Sequence, residues 1–226
     1  MSQVDAERLF VEAAHATAPH LGPLAAEHGR KYVTERFELQ PEYKKQLEAV
    51  AARAEPRPSV SPSLKCDLPG GYTGIGPFDV SLAWGDSAVA YAELKAGPST
   101  DSLGQCVWDA PKLALAVRRL GACSGHLVAA GPSGLWRPAT DGLELFFGGE
   151  WDVLELRARY ESWWRLWEKQ RLMPLNIPDR LRTVEVVRVE FECANVPWTL
   201  GIARVEPLGD GWLEWPPFLP EMWTSA

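Results

Sequence analysis

Three side chains near the middle of the sequence have the types and the spacing that phosphoryl chemistry requires. Asp79 lies on one predicted strand, and Glu93 and Lys95 lie on the next, just before that strand ends at Gly97-Pro98. Two carboxylates, a strand carbonyl and water molecules can together hold a hard cation such as Mg²⁺. The cation makes a bound water a better nucleophile, and a neighbouring ammonium group can orient that water. The same residues are also compatible with a solvated Glu93–Lys95 surface pair and an unrelated carboxylate at Asp79.

The hydrophobic pattern around these residues predicts two neighbouring strands joined by a turn at Gly85-Asp86. Alternation along the first strand sets Asp79 on the face opposite to the apolar side chains. Those apolar side chains are Phe78, Val80 and Leu82. The second strand, from about Ala88, is apolar on both faces up to Glu93, which is typical of a strand covered on both sides. We expect Lys95, at the open end of that strand, to be exposed to solvent.

The motif Asp79…Glu93-Leu94-Lys95, followed by a helix and an apolar strand at His126–Ala130, resembles the PD-(D/E)XK nuclease superfamily. The resemblance covers about residues 40–131. It implies an α/β fold with a restriction-endonuclease-like core, a small mixed β-sheet flanked by helices in the order helix, three strands, helix, strand. The sequence departs from the family pattern where Pro77-Phe78, rather than proline alone, precedes the aspartate.

The same resemblance implies roles for individual residues. Asp79 and Glu93 would hold Mg²⁺ or Mn²⁺, with the main-chain carbonyl of Leu94 as a third ligand. Lys95 would position the attacking water, and Gln105 on the following helix would help to orient it. A glutamate of a preceding helix can assist the metal site in this family, and the sequence does not choose among the candidates. Those candidates are Glu12, Glu35, Glu38 and Glu48.

Two parts of the chain are predicted. The first is a helical N-terminal extension over residues 1–58, and the second is the nuclease-like domain over residues 59–226, with a C-terminal α+β addition. Helices are expected over residues 5–20 and 24–38, with a break at Gly22-Pro23, and a third helix begins at Pro41.

The prolines and serines between residues 55 and 62 indicate an extended linker. A short strand is expected over residues 63–68, and the glycines that follow it indicate a loop. The helical pattern after Lys95 contains Pro111, which removes a backbone donor. We therefore expect either one kinked helix or two helices, over residues 101–108 and 110–120, with Asp109 as a fair N-cap of the second.

The C-terminal addition is predicted to contain a helix over residues 152–172 and a hairpin of residues 183–191 and 198–205 across Asn195-Val196-Pro197. The helix interleaves tryptophans with basic side chains, which suits either base stacking and phosphate contact or core packing with a solvated basic face. These residues are Trp163, Trp167, Arg157, Arg159, Arg165, Lys169 and Arg171. The proline-rich tail from Trp212 to Trp223 has no helical period and is expected to lie extended.

Charge and composition narrow the function classes. The 226-residue chain has a net charge of −7, which argues against a strong, unspecific nucleic-acid binder. Residues 157–188 form the one net-basic block of the sequence, so we expect the basic face of the helix over residues 152–172 to border the site. The four cysteines are widely spaced, and the histidines have no metal-ligand spacing. The sequence has no apolar run of membrane-spanning length and no signal segment, so a cytoplasmic location without membrane association is expected.

These observations lead to a function and an alternative. The lead hypothesis is a Mg²⁺- or Mn²⁺-dependent nuclease that hydrolyses phosphodiester bonds, with DNA favoured over RNA as its partner. The alternative is a catalytically inactive protein of the same fold that acts as a structural or protein-interaction module, with a protein partner or a second copy of itself. The acidic charge, the eleven tryptophans and the proline-rich tail suit that alternative.

Overall fold

The computed structural model describes residues 3–62, 78–85, 88–119, 121–161 and 175–215. The helices are α1 (Gln3–Glu27), a π-helical turn (Glu35–Leu39), α2 (Gln40–Ala51), α3 (Thr100–Leu103), α4 (Cys106–Arg119), two 3₁₀ turns (Ser133–Leu135 and Glu144–Phe147) and α5 (Val153–Arg159). The strands are β1 (Ser59–Pro62), β2 (Val80–Trp84), β3 (Ala88–Ala96), β4 (Ser124–Pro132), β5 (Gly149–Asp152), β6 (Leu175–Pro178), β7 (Arg180–Cys193), β8 (Val196–Pro207) and β9 (Trp212–Trp215).

Seven of these strands form one mixed sheet in the order β1-β2-β3-β4-β8-β7-β5, and β6 pairs with β9 apart from it. β3 and β4 are parallel, and all the other pairs are antiparallel. The parallel pair requires a crossover, which α3 and α4 supply. The α/β prediction of a mixed sheet flanked by helices is thus confirmed in the described part of the chain.

Helices cover both faces of the sheet, which explains why β3 is apolar on both sides up to Glu93. On one face, α1 and α2 pack on β2, β3, β4 and β8, with Phe10 and Tyr43 fully buried against Leu94 and its neighbours. On the other face, α4 packs on β3 and β4, with Leu113 buried in the same cluster as Tyr91. The predicted boundary at residue 58 remains a prediction, and α1 and α2 share a hydrophobic core with the sheet.

The N-terminal helix is longer than predicted. The expected break at Gly22-Pro23 is wrong, because α1 continues through Pro19 and Pro23 to Glu27. Each proline removes one backbone donor, but the apolar stripe of α1 is buried on the sheet over its whole length. A Cβ at Gly22 would lie 2.0 Å from the carbonyl oxygen of Glu192, so the glycine lets the helix pack directly on the β7 backbone.

The remaining differences are local. The end of the predicted linker, Ser59–Pro62, is strand β1, because it pairs with β2 at the edge of the sheet. Two helices follow Lys95, but the predicted division near Pro111 is wrong, because they separate at Gly104-Gln105 and Pro111 lies inside α4. The β7–β8 turn lies at Ala194-Asn195, both with positive φ, one residue before its predicted position.

The C-terminal predictions are tested only in part. Helix α5 confirms the first turns of the predicted 152–172 helix, and β9 confirms an extended start of the tail. The strand over residues 63–68, the glycine loop, the rest of the long helix and the end of the tail lie outside the described residues. None of the described helices combines the length and the apolar character that crossing a membrane demands.

A buried charged cluster as the candidate active site

Asp79 and Glu93 are neighbours across the β2–β3 ladder. Val80 pairs with Ala92, so the antiparallel register sets Asp79, one residue before β2, opposite Glu93. The Asp79 carboxylate accepts a hydrogen bond from the backbone N–H of Leu94 at 2.8 Å and another from the side-chain amide of Gln40 at 3.1 Å. The two predicted carboxylates are therefore held together at one end of the sheet.

Lys95 follows on the same face of β3, and its ammonium group has three oxygen partners. Nζ lies 3.0 Å from the Leu94 carbonyl oxygen, 3.1 Å from Oδ2 of Asp109 and 3.5 Å from Oε2 of Glu35. The residue is only 8% exposed, so the expectation of a solvent-exposed lysine is wrong. The end of β3 is covered by α4 on one side and by the π-helical turn on the other, and the three partners offset the loss of hydration.

Helix α4 brings a second lysine to the same cluster. The ammonium group of Lys112 donates a hydrogen bond to Oε1 of Glu93 and lies 4.7 Å from the ring centroid of Phe78. Phe78 stacks on Tyr91 at 4.2 Å between ring centroids. The predicted grouping of Phe78 with Val80 and Leu82 is therefore wrong. Strand pairing begins only at Val80, so Phe78 turns to the α4 face and forms the apolar wall beside Lys112.

We name these six charged residues the charged cluster. Its members are Glu35, Asp79, Glu93, Lys95, Asp109 and Lys112. Four carboxylates face two ammonium groups, which leaves a formal excess of two negative charges in a largely buried place. Oδ2 of Asp109 is buried, and among the described residues it has the Lys95 contact but no hydrogen bond of good geometry. The cluster is therefore short of positive charge.

Burial and mutual repulsion shift the proton affinities in this cluster. Burial raises the pKa of the Glu93 carboxyl well above its ordinary value, and the charges of Asp109 and Asp79 raise it further against the opposing lysines. The pKa of Glu35 is raised for the same reasons, burial first. Burial lowers the pKa of Lys95, but the surrounding carboxylates more than offset this and hold it well above its ordinary value. Lys95 thus stays an ammonium group, and Glu93 and Glu35 release their protons less readily than free glutamates do.

The cluster has an inner and an outer part. Glu93, Lys95, Asp109 and Lys112 are each between 3% and 8% exposed. Asp79 is half-buried, and the side chain of Glu35 is 34% exposed. A ligand would therefore first reach the cluster at Glu35 and Asp79, and Glu35 is the outermost partner of Lys95.

The structure distinguishes the four candidate glutamates. Glu35 alone joins the charged cluster. Glu12 and Glu48 form surface ion pairs with Arg8 at 3.8 Å and Lys44 at 3.5 Å. Glu38 is fully buried and accepts hydrogen bonds from Thr34, His28 and Arg30, away from Lys95.

The roles predicted for Gln105 and for the basic helix over residues 152–172 stay predictions. Gln105 lies exposed in the turn between α3 and α4. Arg157 and Arg159 lie on α5, where Arg159 is 3.6 Å from Glu144. Trp163, Arg165, Trp167, Lys169 and Arg171 lie outside the described residues.

Sequence reasoning did not assign site roles to Asp109 and Lys112. The signal was present, because both lie on the polar face of the helix that follows Lys95, three residues apart and therefore side by side. The site role of Asp109 was missed because the residue was interpreted as an N-cap before Pro111. The helix instead begins at Cys106, so the Asp109 side chain is free to reach across to Lys95.

The oxygen donors of the cluster suit a hard cation in one specific way. Within the described ranges, no group of three or more acidic, histidine or cysteine side chains is arranged to hold a metal ion. The ligand set that the sequence indicates is smaller, two carboxylates and the Leu94 carbonyl, and Mg²⁺ characteristically keeps several waters beside one or two carboxylates. A divalent ion would neutralise the two excess negative charges, which fits the chemistry of the donor set.

Comparisons of the chain with protein-family models, with curated proteins and with solved structures found no significant match. The function must therefore be argued from the residues of the cluster themselves.

Proposed function

We propose that this protein is a Mg²⁺- or Mn²⁺-dependent nuclease with a restriction-endonuclease-like core. The observation that carries the proposal is the convergence of Asp79, Glu93 and Lys95 at one sheet end inside a cluster with two excess negative charges. Such an excess is costly in a buried place unless protons or a cation offset it.

The order of elements supports the same proposal. α2, then β1, β2 and β3, then α3 and α4, then β4 follow one another in the described chain. This is the helix, three strands, helix, strand order of the PD-(D/E)XK superfamily, which the sequence resembles over about the same residues. Fold alone does not imply function, so the argument rests on the side chains.

Asp79 and Glu93 would hold the cation, with the Leu94 carbonyl as a third ligand. When bound, the cation would lower the pKa of a coordinated water and stabilise charge on the phosphoryl oxygens. Glu93 would release its proton and loosen its bond with Lys112 on taking up the ion, since the oxygen that Lys112 contacts lies on the ligand carboxylate.

Lys95 would orient the attacking water and bind a phosphate oxygen. Its raised pKa excludes it as a general base at neutral pH, so it acts as a donor. Three oxygens surround its ammonium group, and Glu35, at 3.5 Å, is the most distant and the most exposed of these partners. Lys95 would exchange Glu35 for the substrate, and the raised pKa of Glu35 would then suit it to accept a proton from the water.

DNA is the favoured substrate class, as the resemblance implies. An acidic chain does not bind nucleic acid by net charge, so binding would depend on local basic surface near the cluster.

One observation favours the alternative, an inactive interaction or structural module of the same fold. Glu93 and Lys95 are 3% and 8% exposed, and each already has an oppositely charged partner. A cluster that satisfies most of its own charges can serve to fix the packing of α4 and the π-helical turn on the sheet. The two functions differ in whether the cluster binds a cation.

The test combines cation binding with cleavage. Calorimetric titration of the wild type with Mg²⁺ and Mn²⁺ should show binding that Asp79→Asn and Glu93→Gln each remove. Cleavage of single- and double-stranded DNA and RNA should require the cation and be lost in the same two variants. Glu48→Gln, an exposed glutamate in a surface pair, serves as the matched control. A wild type that binds neither cation and cuts none of the four substrates would establish the interaction module instead.

A further inference from the structure

A basic and aromatic surface borders the charged cluster. We name residues 30–37, which lead from α1 into the π-helical turn, the rim segment. Lys31, Tyr32, Arg36 and Phe37 are exposed there, with Tyr32 at 42% and Phe37 at 54%. In the described part of the chain five large hydrophobic side chains are exposed, and two of them lie within this eight-residue segment. Two exposed aromatic side chains on a segment that also contributes Glu35 to the charged cluster make this segment a candidate binding surface.

The rim segment is fixed to the charged cluster by its own residues. Glu35 lies on the same π-helical turn as Arg36 and Phe37, and its carboxylate is 3.5 Å from Nζ of Lys95. Behind it, the buried Glu38 accepts hydrogen bonds from both the N–H and the hydroxyl of Thr34, the latter at 2.5 Å. The turn that carries Arg36 and Phe37 is therefore fixed to the charged cluster through Glu35.

The charge of the rim segment is opposite to that of the whole chain. Arg30, Lys31 and Arg36 are basic, whereas the chain carries −7. The only acids in the segment and its immediate neighbour are Glu35, which contacts Lys95, and Glu38, which is buried with its own partners. The solvent-facing charge is thus positive, which suits phosphate groups.

The ring of Phe37 is held in place with one face available for stacking against a ligand. The Arg30 guanidinium lies 4.2 Å from the Phe37 ring centroid, and Arg30 is itself paired with the buried Glu38. The ring is thereby held from one side while more than half of the side chain stays in solvent. A planar, π-faced ligand with negative charges fits aromatic rings that alternate with cations.

We propose that the rim segment binds unpaired nucleotides of the substrate, with bases stacked on Phe37 and Tyr32 and phosphates on Lys31 and Arg36. This inference rests on the proposed nuclease function and names its substrate as single-stranded nucleic acid or a strand with an unpaired end. Bases in a duplex are stacked on one another and offer no face to an aromatic side chain, so only unpaired bases gain from these rings.

The test measures binding without cleavage. Fluorescence anisotropy in EDTA compares a labelled single-stranded oligodeoxynucleotide with the duplex of the same sequence. Tyr32→Ala and Phe37→Ala should each weaken single-strand binding by roughly 5- to 150-fold and leave duplex binding unchanged. Lys31→Gln and Arg36→Gln should each reduce the salt dependence of single-strand binding by about 0.7 in the log–log slope.

Matched controls come from elements outside the rim segment. Leu154→Ala removes an apolar side chain that is 48% exposed on α5, and Arg53→Gln removes an exposed charge after α2. Both should bind as the wild type does. If an alanine variant unfolds, Tyr32→Leu and Phe37→Leu keep apolar volume, remove only the ring, and should show the same loss.

The outcomes separate the inference from the proposed function. A wild type that binds the single strand through these rings yet cuts nothing would support single-strand binding by the rim segment and contradict the proposed nuclease function. A wild type that cuts, with single-strand binding that none of the rim variants alters, supports the nuclease and overturns the inference. Equal losses in the rim and control variants, or no single-strand binding by the wild type, would overturn it as well.

Discussion

Nζ of Lys95 lies 3.1 Å from Oδ2 of Asp109, which joins the end of β3 to the first turns of α4. Asp109 lies fourteen residues after Lys95, and the crossover helix brings it back over the strand that it left. One turn further along, Lys112 contacts Glu93 in the same way. In one pair the strand supplies the ammonium group and the helix the carboxylate, and in the other pair these roles are reversed. Both pairs therefore join α4 to β3 within the parallel β3–β4 crossover, and a change in one pair alters the electrostatic surroundings of the other.

This arrangement predicts that Lys112 competes with a cation for Glu93. Lys112→Met keeps an apolar side chain against Phe78 but removes the charge that Glu93 contacts. Affinity for Mg²⁺ or Mn²⁺, measured by calorimetry, should rise several-fold, because the cation no longer displaces an ammonium group. The metal-free variant should unfold at a lower temperature, since Glu93 loses a buried partner.

Lys44→Met, which removes a surface lysine paired with Glu48, is the control and should change neither quantity. Weaker cation binding by Lys112→Met would show that Lys112 supports the site rather than competing for it.

The raised pKa of Glu93 predicts a specific pH dependence of stability. The folded protein holds the proton at pH values where the unfolded chain has released it, so ionising Glu93 lowers the free energy of unfolding as pH rises above about 4.3. Glu93→Gln cannot ionise. Its free energy of unfolding relative to wild type should therefore increase steadily from pH 4.5 to pH 7 in EDTA, whatever its value at the lowest pH.

Urea denaturation at a series of pH values measures this difference. Glu48→Gln, at an exposed position, should run parallel to the wild type. A Glu93→Gln difference that is constant or falls with pH would mean that Glu93 is ionised in the folded protein without a cation.

Local pattern was enough to predict part of the site. Alternation along β3 set Glu93 and Lys95 on one face, and the turn between two strands set Asp79 opposite them. These relations depend on the two-residue period of a strand and on a single antiparallel register, which short stretches of sequence encode. The sequence also predicted that β3 is covered on both faces, because its residues before Glu93 are apolar on both sides.

The partners that α4 and the π-helical turn supply could not be predicted in this way. Asp109 faces Lys95 only because α4 begins at Cys106 and continues through Pro111. Burial of the apolar stripe of α4 on β3 and β4 stabilises the helix in that position. Glu35 reaches Lys95 because a π-helical turn, braced by buried Glu38, projects it there. The burial of Lys95 follows from both contacts, which depend on packing between distant parts of the chain.

Glu38 is predicted to be the stabilising glutamate among the four candidates. Glu38→Ala leaves the N–H of Thr34 and the guanidinium of Arg30 without their acceptor and should reduce the free energy of unfolding by about 2–4 kcal/mol. The corresponding changes at Glu12 and Glu48, in exposed ion pairs, should stay within about 0.5 kcal/mol. Urea denaturation at pH 7 compares the three. Equal effects would contradict the role of Glu38 as the brace of the π-helical turn.

The sharpest chemical prediction separates cation binding from catalysis. Lys95→Met should abolish cleavage, by about 3–4 kcal/mol of transition-state stabilisation, and leave cation binding intact or tighter. Glu93→Gln should lose both. A carboxylate is a ligand of a hard ion, whereas an ammonium group is repelled by it and contributes only through water or phosphate.

Lys95→Met also leaves Asp109 and Glu35 without their ammonium partner, so the variant should be less stable than the wild type without metal and regain stability when Mg²⁺ is added. Calorimetry, cleavage of single- and double-stranded DNA, and thermal unfolding with and without Mg²⁺ report the three effects on the same preparation. Loss of cation binding in Lys95→Met, with its fold intact by circular dichroism, would show that Lys95 organises the ligands. Cleavage that survives in both variants would mean that the chemistry takes place elsewhere in the chain.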